Sequence, residues 1–461
     1  MQALATYSYR GPSELTGLSG LRLQTSGGPA ANPRFFSGDV TVPGAAAAGL
    51  LVVSAVAAAD FRRTRTQMML DPVVTAEESK LRFEAFSGCT GVHVRLDLLP
   101  EALDGDGFLR HGTTNIDINA PLRRALARVR DGRLHLDVGP DDVAVTTATE
   151  RVVERKVPLP ASWLRGFTET QVIASGFDVR AEVDRLSAAA FLARLPGKAT
   201  RDTLWVVPAG RGLRLTARPV AGAVGLGGAQ RLSLLTPFLR HAKTLRVYGA
   251  APGSGPSQAT GSWELSGPGL RLTLTLSPQA SRGFAGEGAG LIHLSGSQAE
   301  ADADLVSTLL AWDTAIDVAG LAQSSGLTTE RVRAALTVLA TAGRVGYDVA
   351  EAAYFHRSLP QGPGVEQLNP RLRRARWLVA EGAVTVTDRG TEVLGSQGRV
   401  HLVRTAGATA SCTCTWWEEH RGDRGPCAHV LAAGLLSGAV PDEAGAGVAG
   451  VAGVAGQEAM A

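Results

Sequence analysis

The chain has 461 residues, 44% of them hydrophobic, with 46 basic against 43 acidic side chains and four cysteines. That length predicts about three domains with real cores. A net charge of +3 is too small to mark a nucleic-acid coat, and four cysteines exclude a disulfide framework. All but four of the basic residues are Arg, a skew that fits a GC-rich coding sequence better than an Arg-dependent mechanism. The sparse cysteines are consistent with a reducing, cytoplasmic setting.

Residues 1–79 read as a loop-rich region that carries one buried helix. The first 37 are spotted with Gly, Ser and Pro, and Ala45 to Ala59 form the longest apolar run. That run is too short to span a bilayer comfortably and lacks a basic segment before it, so a helix buried on most sides is expected and no membrane span. Phe61-Arg62-Arg63 and Met68-Met69-Leu70 follow it.

Residues 80–298 read as an α+β domain. Leu134, Leu136 and Val138 alternate with His135 and Asp137. Leu270, Leu272, Leu274 and Leu276 alternate with Arg271, Thr273 and Thr275. Such alternation predicts half-buried antiparallel strands. Cys89, apart from the other three cysteines, is expected to be a small buried residue.

A strand–helix–strand–strand unit is legible two or three times here. Helices at 119–129, 187–195 and from 235 each precede a pair of alternating segments. The arrangement is reminiscent of sliding-clamp halves, but no motif supports that, and the plainer reading is an α+β domain whose repeats are ordinary hairpins.

Beyond a link at Ser297 to Asp304 the texture changes. Asp317 to Ser324 suits a short helix, Ser325-Gly326-Leu327 a turn, and Thr328 caps a helix over Thr329 to Ala342 with Val332, Leu336 and Leu339 on one face. Val345–Val349 with Ala353–His356 suits a hairpin. Residues 303–360 thus resemble a winged helix-turn-helix, although four Arg against five acidic residues from Asp313 to Arg357 is a poor charge for gripping phosphates.

Residues 371–437 hold the sharpest motif. Cys412-Thr413-Cys414 is followed, twelve residues on, by Cys427-Ala428-His429. Two close pairs of soft or borderline ligands are what a closed tetrahedral zinc site needs. In an extended segment Cys412 and Cys414 point to one side. Gly425-Pro426 breaks the chain, so that Cys427 and His429 start a helix, where the dipole favours thiolate. His420, in the polar stretch Glu418 to Asp423, reads as a solvated loop histidine rather than a fifth ligand. One of Trp416 and Trp417 is expected to pack over the finger's strands and helix, with the other available as a contact residue. The tail, 438–461, has little to pack and reads as disordered.

With Trp416-Trp417 after the first pair, Gly425-Pro426 before the second and the apolar run Val430 to Leu436 behind, this pattern resembles the SWIM zinc finger. The resemblance implies Zn2+ as cofactor and a role in DNA binding or protein–protein contact. For bacterial proteins of this layout it also implies AAA-type ATPase or von Willebrand A-domain partners. If nucleic acid is the ligand, Arg371, Arg373, Arg374 and Arg376, with Arg421 and Arg424, are the cations placed to touch phosphates.

No G-x-S-x-G or H-E-x-x-H pattern occurs. Gly197-Lys198 lacks the rest of a phosphate loop, and Asp104-Gly105-Asp106-Gly107 lacks the later ligands of a calcium loop. Four protein ligands leave the zinc no open position, so the site reads as structural. The expectation is a non-enzymatic, multidomain α+β protein ending in a zinc finger. It acts on DNA or as an adaptor in a multi-protein assembly; the alternative is a protein-interaction subunit with no nucleic-acid contact.

Overall fold

The computed structural model describes residues 34–61, 72–77, 79–104, 110–198, 203–250, 260–279, 282–296, 298–310, 316–359, 369–406 and 409–437. Ahead of these it describes four short strands: Tyr7–Tyr9 paired with Ser26–Pro29, and Glu14–Thr16 paired with Gly20–Arg22. The first 37 residues therefore contain strand pairs where loops were expected. The Met68-Met69-Leu70 cluster and the tail at 438–461 lie outside the described residues.

An eight-stranded antiparallel sheet organises the body. Its spatial order is Gly112–Asn115, Val73–Glu77, Lys80–Phe86, Val92–Leu98, Leu270–Leu276, Gly261–Gly267, Thr244–Ala250, Phe177–Asp184. The period-two pattern puts Leu81, Phe83, Val94, Leu96, Leu272 and Leu274 on one face, all buried. The helix Pro43–Ala58 covers this face with ten buried positions. It approaches closely at Gly49, where a Cβ would sit 2.6 Å from the Leu96 side chain. Each fully buried Leu or Val there contributes roughly 1.5–3 kcal/mol.

The opposite face departs from expectation. Alternation predicted a solvated polar face, yet Arg82, Arg95, Asp97, Thr273 and Thr275 are all buried. The helix Ala161–Ala174 and the hairpin Val345–Asp348/Ala353–His356 cover it. Gly166 lets that helix approach Phe86, and Phe86 also meets Trp163, Phe167 and Phe284 at ring edges. A charged face can be buried only with its charges matched, and here they are. Strand register sets Asp97 directly between Arg82 and Arg271 on its two neighbours.

The hairpin's Asp348 completes the network. Its carboxylate accepts from Arg82 and Arg95 at 2.7 Å each and from Arg271 at 2.9 Å. Burial pushes the Asp348 carboxyl up, but the three guanidiniums outweigh it and hold it well below the usual range. Nearby, Arg357 pairs with Glu84 at 3.1 Å and lies over the Phe167 ring. Burial opposes the Glu84 carboxylate too, and Arg357 and His93 overcome that to hold it at about 2.

The three sequence units form, but in different sheets. Leu134–Val138 and Asp142–Thr147, after the helix Ala120–Arg128, belong to a five-stranded sheet. Leu204–Ala209 and Gly212–Thr216, after Arg185–Leu192, belong to a three-stranded one. The third unit, after the 3-10 segment Ala229–His241, supplies three strands of the large sheet. The stretch expected as a link is instead the start of a helix, Ala299–Leu310, which packs with Val318–Ser325 and Thr329–Thr341. Thr328 caps the last of these by accepting from the Arg331 N–H. Cys89 is buried, as expected of the thiol that stands apart from the cluster.

Candidate metal centre

The C-terminal module is a four-stranded antiparallel sheet, Val384–Thr387, Gly390–Leu394, Val400–Ala406 and Thr409–Cys412 in that order. Pro370–Ala380 and Ala428–Ser437 pack together on one face of it. Its core joins Leu372, Leu378, Val393, Val403 and Leu431 with the three clustered cysteines. It reaches back to Leu291 and Leu294 of the preceding segment.

The ligands sit where chain geometry places them. Cys412 ends a strand, and Cys414, two residues on with extended backbone, precedes the helix Thr415–His420. Gly425 takes a left-handed φ of +73°, and a Cβ there would collide with the Gly288 carbonyl, so glycine is required. Cys427 lies just ahead of Ala428–Ser437, with His429 in its first turn. The Val430 N–H donates to Cys427 Sγ at 3.5 Å.

One ligand atom from each of Cys412, Cys414, Cys427 and His429 lies within 4.8 Å of the others, and the three sulfurs are buried. His429 turns Nδ1 to Cys412 Sγ at 3.8 Å. Hydrogen bonds from Cys412 and Cys427 hold the Cys414 thiol far below its ordinary range, and its partnership with Cys414 pushes Cys412 up. Burial works against a charged His429, but Cys414 and Cys427 outweigh it and raise the imidazole to about 9. A buried pocket of three sulfurs and one imidazole nitrogen, in which thiolate charge favours a cation and the donors are spaced for a tetrahedron, fits Zn2+. All four donors belong to the chain, so they would fill the tetrahedral positions of a bound ion. The His401 ring stacks on His429 at 4.3 Å and helps fix its orientation.

His420 is not in this cluster and is not a solvated loop residue. It ends the helix Thr415–His420, with its ring 4.3 Å from Trp416 and Arg424 beside its Nε2 at 3.4 Å. Trp416 and Trp417 are both half-buried and both pack on the finger core, so the packing role expected of one ring is filled by both. The place of His420 follows from its neighbours four residues away on either side, Trp416 and Arg424.

The six predicted phosphate-binding arginines separate. Arg371 donates to the carbonyls of Arg424 and Glu287 at 2.7 Å and of Pro426 at 3.0 Å. Arg424 donates to the Gly286 carbonyl at 2.9 Å. Both lie over the Trp416 ring. These two side chains therefore fasten the finger to the 286–290 segment of the body. Arg376 pairs with Glu300 at 3.0 Å, Arg374 lies over the Trp377 ring at 4.0 Å, and Arg373 and Arg421 are exposed.

Residues 399–434 match the family model for the SWIM zinc finger, so the chain carries a SWIM finger with Cys412, Cys414, Cys427 and His429 as its zinc ligands. No curated protein matches the chain. Among solved structures it is similar to Proliferating Cellular Nuclear Antigen from Entamoeba histolytica, with 12% identity, a TM-score of 0.36, and 54% of this chain against 100% of that one. It is also similar to the PCNA2-PCNA3 complex from Sulfolobus tokodaii, with 8% identity, a TM-score of 0.38, and 53% of this chain against 100% of that one. Among the described residues no helix is long and apolar enough to cross a membrane.

Proposed function

We propose that this chain is a non-enzymatic, zinc-organised adaptor whose finger presents a surface to another protein. The observation that carries the reading is the outer face of the finger sheet. Leu394 and Val400 stand directly opposite each other on neighbouring strands and are 48% and 57% exposed. A cross-strand apolar pair facing water suits a protein contact. The groups that suit phosphate are engaged elsewhere: the hairpin lies on the body sheet, and Arg371, Arg376 and Arg424 bind within the chain. The SWIM resemblance makes an AAA-type ATPase or a von Willebrand A-domain protein the first partner to try. The reduced thiols suit an intracellular setting.

One observation favours duplex or single-stranded DNA as a second reading. Trp377 is 46% exposed and carries Arg374 on its face, beside exposed Arg373. The two readings separate in solution. Val400→Asp is expected to abolish binding to a purified partner of either class while zinc content stays at about one per chain. Anisotropy with duplex DNA is expected to show no retention at physiological salt. A steep log–log salt dependence, about −0.9 per phosphate contact, that flattens on replacing Arg373, Arg374 and Arg421 by Ala would move the assignment to DNA.

A further inference from the structure

The joint between finger and body holds a partly open cavity of about 290 Å³. Arg165 and Glu169 of the helix Ala161–Ala174, Glu287 of the connecting segment, Arg371, Trp416 and Arg424 line it. Its charge is unbalanced. Arg371 and Arg424 lie side by side over one indole, with guanidinium carbons 4.9 and 4.8 Å from the ring centre. Burial, joined by Arg424 and opposed by Glu169 and Glu287, lowers the Arg371 pKa. Their described hydrogen bonds go to neutral groups: three carbonyls for Arg371, and a carbonyl and the His420 ring for Arg424. Among the described residues neither has a carboxylate at ion-pair distance.

The two acids on the wall restore the balance only in part. Glu287 attracts Arg371 and Arg424 but is held by Arg282 at 2.5 Å. Glu169 accepts the Gly290 N–H at 3.3 Å, and burial, opposed by Arg371, raises its carboxyl to about 7, so its negative charge is incomplete at neutral pH. Three guanidiniums against two carboxylates, one of them committed to Arg282, favour an anion in a partly dry site, and planar guanidinium forks match oxyanions. Asn369, at the start of Pro370–Ala380, leaves that helix without a side-chain cap at the same wall.

We propose that this cavity binds a small oxyanion, a carboxylate or phosphate group of a small molecule, between Arg165 on the body and the Arg371–Arg424 pair on the finger side. The bound anion would bridge the two parts and tighten the joint. The proposal does not depend on the finger's macromolecular partner.

The zinc-loaded full chain is titrated calorimetrically with inorganic phosphate and, separately, with succinate, at ionic strength matched by sodium chloride. Saturable one-to-one binding of at least one probe is expected. Preference for phosphate would identify a phosphate-bearing ligand and preference for succinate a carboxylate. Arg165→Gln leaves the described bonds of Arg371 and Arg424 in place and is expected to weaken binding about fivefold or more with zinc content unchanged. Arg165→Lys, which keeps the charge but not the fork, should fall between, and it replaces the first variant if that one does not fold. No saturable heat from either probe above the chloride control overturns the proposal. So does wild-type affinity in a folded Arg165 variant.

Discussion

The molecule has two joints between its body and its C-terminal half, and they are built on opposite electrostatic principles. Where the hairpin meets the large sheet, Asp348 and Asp97 face Arg82, Arg95 and Arg271, and every charge has an opposite at hydrogen-bond distance. Where the finger meets the 286–290 segment, Arg371 and Arg424 lean on carbonyls and an indole. The first joint is closed, because compensated charges pack without needing anything more. The second keeps a cationic excess and a cavity, and so is open to a ligand and to adjustment. Among the described residues only the finger, on the far side of the second joint, carries a cluster of groups able to hold a metal ion.

The largest effect is expected at the metal. Cys427→Ser should reduce zinc from about one ion per chain to near none and cost the finger region on the order of 10 kcal/mol of metal-coupled folding. Hydrogen exchange should then show lost protection after residue 400 while 80–298 keep theirs. Retained stoichiometric zinc would show that the ligand set is wrong, and collapse of the body as well would show that the second joint is not a separable one.

Asp348→Ala tests the closed joint. It leaves three buried guanidiniums short of a partner and should lower urea stability by about 3–5 kcal/mol. A loss under about 1 kcal/mol would mean that Asp97 alone suffices and that the hairpin is not locked by charge.

The open joint is read through pH. The Glu169 carboxyl is raised from 4.5 to about 7, because burial outweighs the Gly290 and Arg371 contacts. The folded chain therefore binds this proton more tightly than the unfolded one. Stability contributed by the protonated group is present below about 4.5 and declines as pH rises through 7. Glu169→Gln should remove that decline, a relative gain at pH 8 of up to about 3 kcal/mol. Glu154, also raised to about 7 by burial, keeps a similar slope in the variant. Glu84, held at about 2, acts oppositely: its contribution is full above 4.5 and lost as pH falls towards 2. Urea melts from pH 3 to 8 separate the two windows, and an unchanged neutral slope in Glu169→Gln would count against the raised carboxyl.

Arg371→Ala should have the smallest effect, about 1–3 kcal/mol and confined to the finger's attachment. Faster proteolysis around 286–290 and 424–426 with zinc retained is the expected readout. Global destabilisation equal to that of Asp348→Ala would erase the distinction between the joints.

The zinc ligands were legible because metal coordination is a local demand. Two pairs at short spacing, a Gly-Pro break and an apolar helix behind them lie within one short stretch, and the structure brings the same four atoms together. Single elements were legible for the same reason: the capped helix after Thr328, the hairpin from Val345 and the apolar helix near residue 50 follow from local periodicity and capping. The fates of Arg371, Arg424 and the polar sheet face were not. A run of arginines near a finger looks solvated until the 286–290 segment offers its carbonyls. Arg82, Arg95, Asp97 and Arg271 look like a wet face until a hairpin more than 70 residues further on brings Asp348 to them. Alternation states which side chains share a face, and only the packing of distant segments decides whether that face meets water or a matching charge.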